Sequence, residues 1–489
     1  MTSIRNKTIS GFFWTFLQKL GSQGISFVIM IILARLLAPE DFGLVAMLSI
    51  FLQISQNVVT GGFNQALIQK LDVDEVDYSS VFYINVLVSS FIYILLFVTA
   101  PFVAEFYNQP LLTSLLRVLS IAFVINAFSL VQETKIVNDL DFKKLAIIQI
   151  PSTVLGGIVA LFMAYNDYGV WSIVGMQIST RSAYAVQLWF YTKWSPLFVF
   201  EFQRIKTLFS FGGRMLFSTI LTSVYSNIIV IIIGKFYPVS QVGLYHNAKT
   251  MALTPSTTIK SIADSVTFPT FSKLQNENEK LKPAYKKVMQ VLMFWMLPIF
   301  TFSAIIAEPL FRLVLGEKWV PAVPYFRWLC VIAILSPLVN YNLNILKIKG
   351  EAKLFLKLQV YRRILTILGL VLISLFSFGV SGLLFIESLS YLVSFICFSH
   401  ISGKFIDYNM KEQVLDKIPM LLILSVTGLV LYLFTTFIII ESDLLKVVSG
   451  FSISFGLYLS ISKLFKFEEF KDSYSVVKSF GGKFGLKIK

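Results

Sequence analysis

Apolar and polar residues alternate along this chain of 489 residues in long blocks, not with a short period. Fourteen apolar segments run approximately over 10–34, 42–64, 79–104, 112–131, 145–165, 169–191, 209–234, 242–267, 288–306, 322–346, 356–378, 380–400, 418–440 and 444–462. Each has about the 20 residues that a helix needs to cross a ~30 Å hydrocarbon core. A closed barrel would show ~10-residue alternating stretches instead. Lipid admits no third solution, because every backbone polar group must be satisfied within the protein. The pattern therefore predicts an all-α polytopic membrane protein with about fourteen transmembrane helices.

The connections differ by side. One set is long and basic, holding Lys70, Lys135, Lys143, Lys144, Lys193, Arg204, Lys206, Lys273, Lys280, Lys282, Lys286, Lys287, Lys347, Lys349, Lys353, Lys404, Lys411 and Lys417. Arg5, Lys7 and the lysine-rich tail after Leu464 belong to the same side. The other set is short and carries few bases: Arg35, Lys235, Arg312, Lys318 and Lys446. The positive-inside rule then places both termini in the cytoplasm. The longest connection on the outer side, about 307–321, leaves no room for an outer globular domain. The first segment lacks a small-residue cleavage site and reads as a retained helix.

Two stretches suggest an internal repeat. Ala34-Arg35-Leu36-Leu37-Ala38-Pro39-Glu40-Asp41-Phe42-Gly43 returns 200 residues later as Gly234-Lys235-Phe236-Tyr237-Pro238-Val239-Ser240-Gln241-Val242-Gly243. Segments 4 to 6 return as segments 10 to 12 at an offset of 210, aligning Arg117 with Arg327, Lys143 with Lys353, Gln149 with Gln359, and Gly169-Val170 with Gly379-Val380. Six is even, so the two units have one orientation. The expectation is two six-helix lobes related by a pseudo-twofold axis along the membrane normal, as in transporters that build a cavity between lobes. The boundaries follow: 1–200 for the N-terminal lobe, 201–405 for the C-terminal lobe, 406–463 for two extra C-terminal helices and 464–489 for a basic cytoplasmic tail.

Composition agrees. Hydrophobic residues make up 56% of the chain and charged residues 14%, against about 25% charged in soluble domains. The net charge of +15 is accounted for by topology and by attraction to anionic lipid, so a nucleic-acid role is not expected.

Charges within the helices carry more information, since each costs about 2.5–3.5 kcal/mol at the membrane centre. The candidates are Lys19, Arg117, Arg181, Arg214, Lys249, Lys260, Asp264, Arg327 and Glu387, seven of them basic. Lining a cavity, those seven would favour an anion such as a phosphate or pyrophosphate, which Arg grips with two parallel hydrogen bonds. Asp264 and Glu387 are candidates for charge balance or for a coupling cation. Gln18, Gln23, Gln53, Gln56, Asn57 and Asn64 put a polar stripe on the first two helices. It suits either interhelical hydrogen bonding or a hydrated, sugar-facing surface. Trp14, Tyr225 and Tyr245 are of the type that stacks on sugars. Arg35, Glu40, Asp41 and Lys235 lie at the outer rim and read as gate residues.

Other chemistry finds no motif. His246 and His400 are far apart, Cys330 and Cys397 both lie in apolar segments, and no phosphate-binding loop is present. No metal or cofactor is expected. Asp72, Asp74, Glu75 and Asp77 read as a solvated loop capping the third helix rather than as a metal site.

The corner at Ala34–Gly43, the following Gly62-Phe63-Asn64-Gln65-Ala66-Leu67-Ile68-Gln69, and Gly243-Leu244-Tyr245-His246-Asn247-Ala248-Lys249 with Pro255 and Phe268-Pro269 resemble the polysaccharide-transport branch of the multidrug/oligosaccharidyl-lipid/polysaccharide exporter superfamily. The resemblance covers segments 1 to 12 and extends to the helix count. It implies a non-enzymatic flippase that moves undecaprenyl-pyrophosphate-linked oligosaccharide across the bacterial inner membrane by alternating access. The product would serve capsule, exopolysaccharide or O-antigen assembly. Lys249 matches a position where the related lipid-linked peptidoglycan precursor flippases carry a base. Lys19, in place of an arginine cluster, argues against the peptidoglycan precursor itself. Expected partners are lipid-linked oligosaccharide, membrane lipid, a proton or sodium ion for coupling, and the polysaccharide polymerase and export machinery.

Two rivals stay open. A cation-coupled multidrug exporter of the same fold would need acidic charge in the N-terminal lobe, and segments 1, 2, 4 and 6 show none at mid-depth. A glycan polymerase or ligase would need a large outer loop.

Overall fold

A computed structural model describes residues 2–60, 66–68, 70, 72–375, 378–438 and 440–471, excepting the side chains of 2–13, 207–218, 221, 265–266 and 374–375. The order is α1 (Thr2–Leu36), α2 (Pro39–Thr60), α3 (Glu75–Tyr107), α4 (Leu111–Asn138), α5 (Phe142–Tyr165), α6 (Trp171–Thr192), α7 (Phe202–Phe236), α8 (Val239–Lys273), α9 (Asn278–Ile305), α10 (Ala307–Val314), a 3₁₀ turn (Glu317–Ala322), α11 (Val323–Ile348), α12 (Ala352–Leu375), α13 (Gly379–Ile406), α14 (Met410–Leu415), α15 (Ile418–Phe437) and α16 (Asp443–Leu464). Fourteen of these helices have 20 residues or more, enough to span the core at 1.5 Å per residue. They follow the fourteen apolar segments in order.

Ten of the fourteen are also apolar enough to cross a membrane by composition, among the described residues. The chain is a multi-pass membrane protein. Of the other four, α6 carries Arg181, α8 carries Lys249, Lys260 and Asp264, and α12 carries Arg362 and Arg363. The described part of α7 contributes a shorter apolar stretch, Thr222–Phe236. The hydropathy deficit of α6, α8 and α12 thus falls on helices that hold charges within their length.

The chain divides into two compact units, Met1–His246 and Asn247–Lys489, with the boundary in the sequence of α8. In the first, α4 packs on α3 and α6, α5 on α6 and α1, and α7 on α2 and α3. In the second, α11 packs on α13 and α9, α12 on α13, and α15 on α16.

The 200-residue repeat has a direct structural meaning within the first unit. A Cβ placed on Gly43 would lie 2.2 Å from the carbonyl oxygen of Val239. One placed on Gly243 would lie 1.8 Å from that of Pro39. The contact is reciprocal, 43 to 239 and 243 to 39, so the starts of α2 and α8 press backbone against backbone. Only glycine allows that approach. The 210-residue repeat is seen in Gly169 (φ 53°) and Gly379 (φ 70°), both left-handed just before or at the start of α6 and α13.

Prolines inside the helices leave carbonyls without their usual partner four residues on. Three of those carbonyls are recovered by a side chain. Phe97 O, freed by Pro101, accepts from Arg117 Nε at 3.2 Å. Phe294 O, freed by Pro298, accepts from the Tyr458 hydroxyl at 3.0 Å. Ala333 O, freed by Pro337, accepts from Ser256 Oγ at 3.0 Å. In lipid an unmet carbonyl is costly, so these contacts are how proline is tolerated there.

Each unit also straps a connection across a helix start. Trp194 Nε1 donates to Glu75 at 2.5 Å, and the backbone N–H groups of Leu197 and Glu201 donate to Ser79 and Ser80 at 2.9 and 3.1 Å. Arg204 closes the strap on Asp74 at 2.6 Å. In the second unit Lys282 and Lys286 of α9 reach Glu412 at 2.9 Å and Asp416 at 2.8 Å. The acids stand on the helix in the first unit and on the strap in the second.

The expected solvated loop at Asp72–Asp77 is corrected in part. Asp74 does cap α3, in a reciprocal pair with Asp77. Asp77 itself, however, is buried and paired with Lys70 and Arg204, because α3 begins at Glu75 and takes it into the packed interface.

Candidate functional site

In the second unit a group of charges gathers from α8, α11, α12 and α13. Lys249, Lys260 and Asp264 fall on one stripe of α8, since 11 residues make close to three turns and four more about another. Lys249 is in electrostatic contact with Glu387 of α13. Glu387 also faces Arg362 of α12, whose guanidinium lies 4.9 Å above the ring of Tyr391. Lys260 feels Asp264, Lys347 and Arg362. The Tyr341 hydroxyl adjoins Asp264 and lies 3.4 Å from Thr267 Oγ1. Thr366 and Ser390 join α12 to α13 at 2.5 Å. Three bases, Lys249, Lys260 and Arg362, therefore face two carboxylates, Asp264 and Glu387, with Lys347 exposed at the end of α11 nearby. In a low-dielectric setting that excess is strongly felt, and it suits a phosphate, which can exchange with a carboxylate as partner of a base.

The first unit holds a smaller group. Glu133 of α4 adjoins the Tyr184 hydroxyl and interacts with Arg181, both on α6. Glu133 lies beyond segment 4, five residues before the end of α4, and not at the mid-depth where segments 1, 2, 4 and 6 show no acid. The apolar run read as ending at 131 continues as helix to Asn138, because no helix-stopping residue precedes Asp139. Lys19 and Gln23 are exposed on α1, and Gln18 is half-buried.

The polar stripe of α2 is largely an interhelical seam. Asn57 Nδ2 donates to Ser223 Oγ at 2.8 Å, Asn227 Nδ2 donates to Gln53 Oε1 at 2.6 Å, and Ser49 Oγ donates to Asn227 Oδ1 at 3.0 Å. Gln56 is half-buried on the same helix. Asn64 lies outside the described residues, as does the side chain of Arg214.

Arg117 and Arg327 each donate from Nε to a backbone carbonyl. Arg327 Nε donates to Ala304 O at 3.2 Å near the end of α9, as Arg117 does to Phe97 O. At the rim, Lys235 donates to Phe106 O at 2.7 Å and lies over the Phe106 ring. Asp41 accepts from Ala38 N at 3.0 Å and so fastens its own turn. Arg35 and Glu40 are exposed.

Three functional candidates escape a reading of the sequence. Arg362 and Arg363 sit in a segment read as apolar throughout, and Glu133 lies past the point where the apolar run fades. The available signal is the adjacent Arg-Arg pair, six residues into the apolar block that starts at 356. Among the described residues no group of His, Cys, Asp and Glu is placed to hold a metal ion.

Residues 32–324 match the family described as polysaccharide biosynthesis protein. The chain is 29% identical over 357 residues to the teichuronic acid biosynthesis protein TuaB of Bacillus subtilis (strain 168), covering 72% of this chain and 74% of that protein. It is 23% identical over 373 residues to the lipopolysaccharide biosynthesis protein WzxC of Escherichia coli (strain K12), covering 76% of each. Its fold is similar to that of the lipid II flippase MurJ in an inward closed conformation, with a TM-score of 0.69 at 12% identity over 94% of this chain and 98% of that one. It is also similar to an inward-facing multidrug resistance transporter of the MATE family, with a TM-score of 0.58 at 14% identity over 78% and 95% of the two chains. The match spans more than half of the sequence, and the chain belongs to the polysaccharide biosynthesis protein family.

Proposed function

We propose that this protein is a flippase of the bacterial inner membrane, with both termini in the cytoplasm. It moves an undecaprenyl-pyrophosphate-linked oligosaccharide to the outer leaflet by alternating access, for assembly of capsule, exopolysaccharide or O-antigen. The observation that carries the reading is the basic excess within the helices of the second unit: Lys249, Lys260 and Arg362 against Asp264 and Glu387. Lys249 and Arg362 hold the pyrophosphate, and Glu387 keeps the two bases in place while the site is empty. Asp264, Glu387 and, in the first unit, Glu133 are the groups through which a proton or sodium gradient acts. The protein forms and breaks no covalent bond. The relatives' names, which concern teichuronic acid and lipopolysaccharide biosynthesis, support a glycan precursor as the cargo.

The test is transport of a defined lipid-linked oligosaccharide into the outer leaflet of proteoliposomes, under proton and sodium gradients applied separately. Lys249→Ala and Arg362→Ala are expected to weaken substrate binding about ten- to a hundredfold, the worth of one charge-assisted hydrogen bond. Lys249→Arg is expected to retain transport. Export of a cationic drug in place of the glycan lipid, or unchanged surface glycan in a deletion strain with no substitute transporter, overturns the reading.

A further inference from the structure

The geometry points to a binding site for an anionic phospholipid of the basic-side leaflet, on the α4–α6 face of the first unit. An open groove of about 470 Å³ runs between these helices, lined by Ile125, Phe128, Ser182, Val186, Trp189 and Phe190. Its walls are apolar and exposed: Phe190 is 75% and Val186 55% accessible. The floor is rigid, because Trp189 Nε1 donates to Phe128 O at 2.8 Å and locks α6 to α4. From Ser182 to Phe190 the groove extends about 12 Å along α6, close to the ~15 Å half-thickness of the hydrocarbon core. That is the reach of one acyl chain within a single leaflet. A long polyprenyl chain would overrun it.

The groove lies in the second half of both helices, toward the end that carries Lys135 and Lys193. Lys135 is committed to Glu75 at 2.7 Å. Lys193, three residues past Phe190, is exposed and turns out of the helix in a left-handed conformation. A base at the interface, directly beyond an apolar slot with a tryptophan at its end, is complementary to a negative headgroup above one seated chain.

The experiment is native mass spectrometry of the full chain, stripped of lipid by detergent exchange. It is then titrated with phosphatidylglycerol, phosphatidylcholine of matched chains, and a polyprenyl phosphate. One phosphatidylglycerol per chain is expected to be held about fivefold more tightly than phosphatidylcholine, the worth of one interfacial lysine. Val186→Trp, which fills the slot, abolishes that adduct. Lys193→Glu is an exposed change that leaves the fold intact, and it removes the preference for phosphatidylglycerol while leaving phosphatidylcholine binding unchanged. Equal retention of the two phospholipids by the unaltered chain, or undiminished retention by a Val186→Trp protein with an unaltered melting transition, sinks the proposal. Retention of the polyprenyl phosphate that is lost in Val186→Trp also sinks it, since the slot would then belong to the carrier tail.

Discussion

Single side chains in this protein mostly repair what the backbone leaves open. Ser256 and Tyr458 each serve a carbonyl stranded by a proline. Ser256→Ala is expected to destabilise the fold by about 1–3 kcal/mol, because Ala333 O is then left buried and unmet. Removing Pro337 in the same chain (Pro337→Ala, Ser256→Ala) restores a backbone donor and recovers most of the loss. Thermal unfolding in detergent measures both. If the single change costs nothing, the side-chain contact is not what satisfies the carbonyl.

Asp74 is a second case. Arg204 donates to its carboxylate, and the Asp77 backbone N–H also bonds to it. Together they hold the group at about 2, below its ordinary 3.8. A folded value below the unfolded one means the contact contributes fully above about pH 4 and is lost as pH falls through about 2. Pepsin nicking of the 193–201 strap is therefore expected to set in between those two values. In Arg204→Ala the onset moves up toward pH 4. An onset that does not respond to Arg204 would show that the strap is held elsewhere.

At the scale of elements, the sequence repeats become contacts. The corners at 39–43 and 239–243 meet through two glycines, which neither copy alone would require. Gly243→Ala drives a methyl group into Pro39 O, and overpacking of this kind costs about 1–3 kcal/mol. The matching change Gly43→Ala meets Val239 O and is expected to cost a similar amount. Both are read from the loss of melting temperature and of the monodisperse fraction. A neutral outcome at both positions would mean that α2 and α8 do not press together there.

The straps show how far charge reading reaches at this scale. Positive residues are conspicuous on alternate connections, but their partners are not periodic in the sequence. Arg204 lies 130 residues from Asp74 and Lys286 lies 130 from Asp416. Only packing of a connection over a helix start brings such residues together. The polar stripe of α2 carries the same lesson. Amides on one face are legible as polar. Whether they meet a ligand or another helix depends on which neighbour packs there, and for Gln53 and Asn57 the neighbour is α7.

At the scale of the whole molecule, the sequence by itself determined the class, the count of long helices and their order. Crossing lipid imposes a length and an apolar composition on each segment, and both are local properties. It also pointed to Lys249, Lys260, Asp264 and Glu387, because a charge in an apolar run is conspicuous wherever it is. Tertiary structure alone decided which charges act together. It paired Glu387 with Lys249 and Arg362, gave Arg117 and Arg327 the backbone carbonyls of Phe97 and Ala304 as partners, and placed Glu133 beside Arg181. Such pairings are made between helices far apart in the chain, where electrostatic energy depends on distance in space and has no signature in spacing along the sequence.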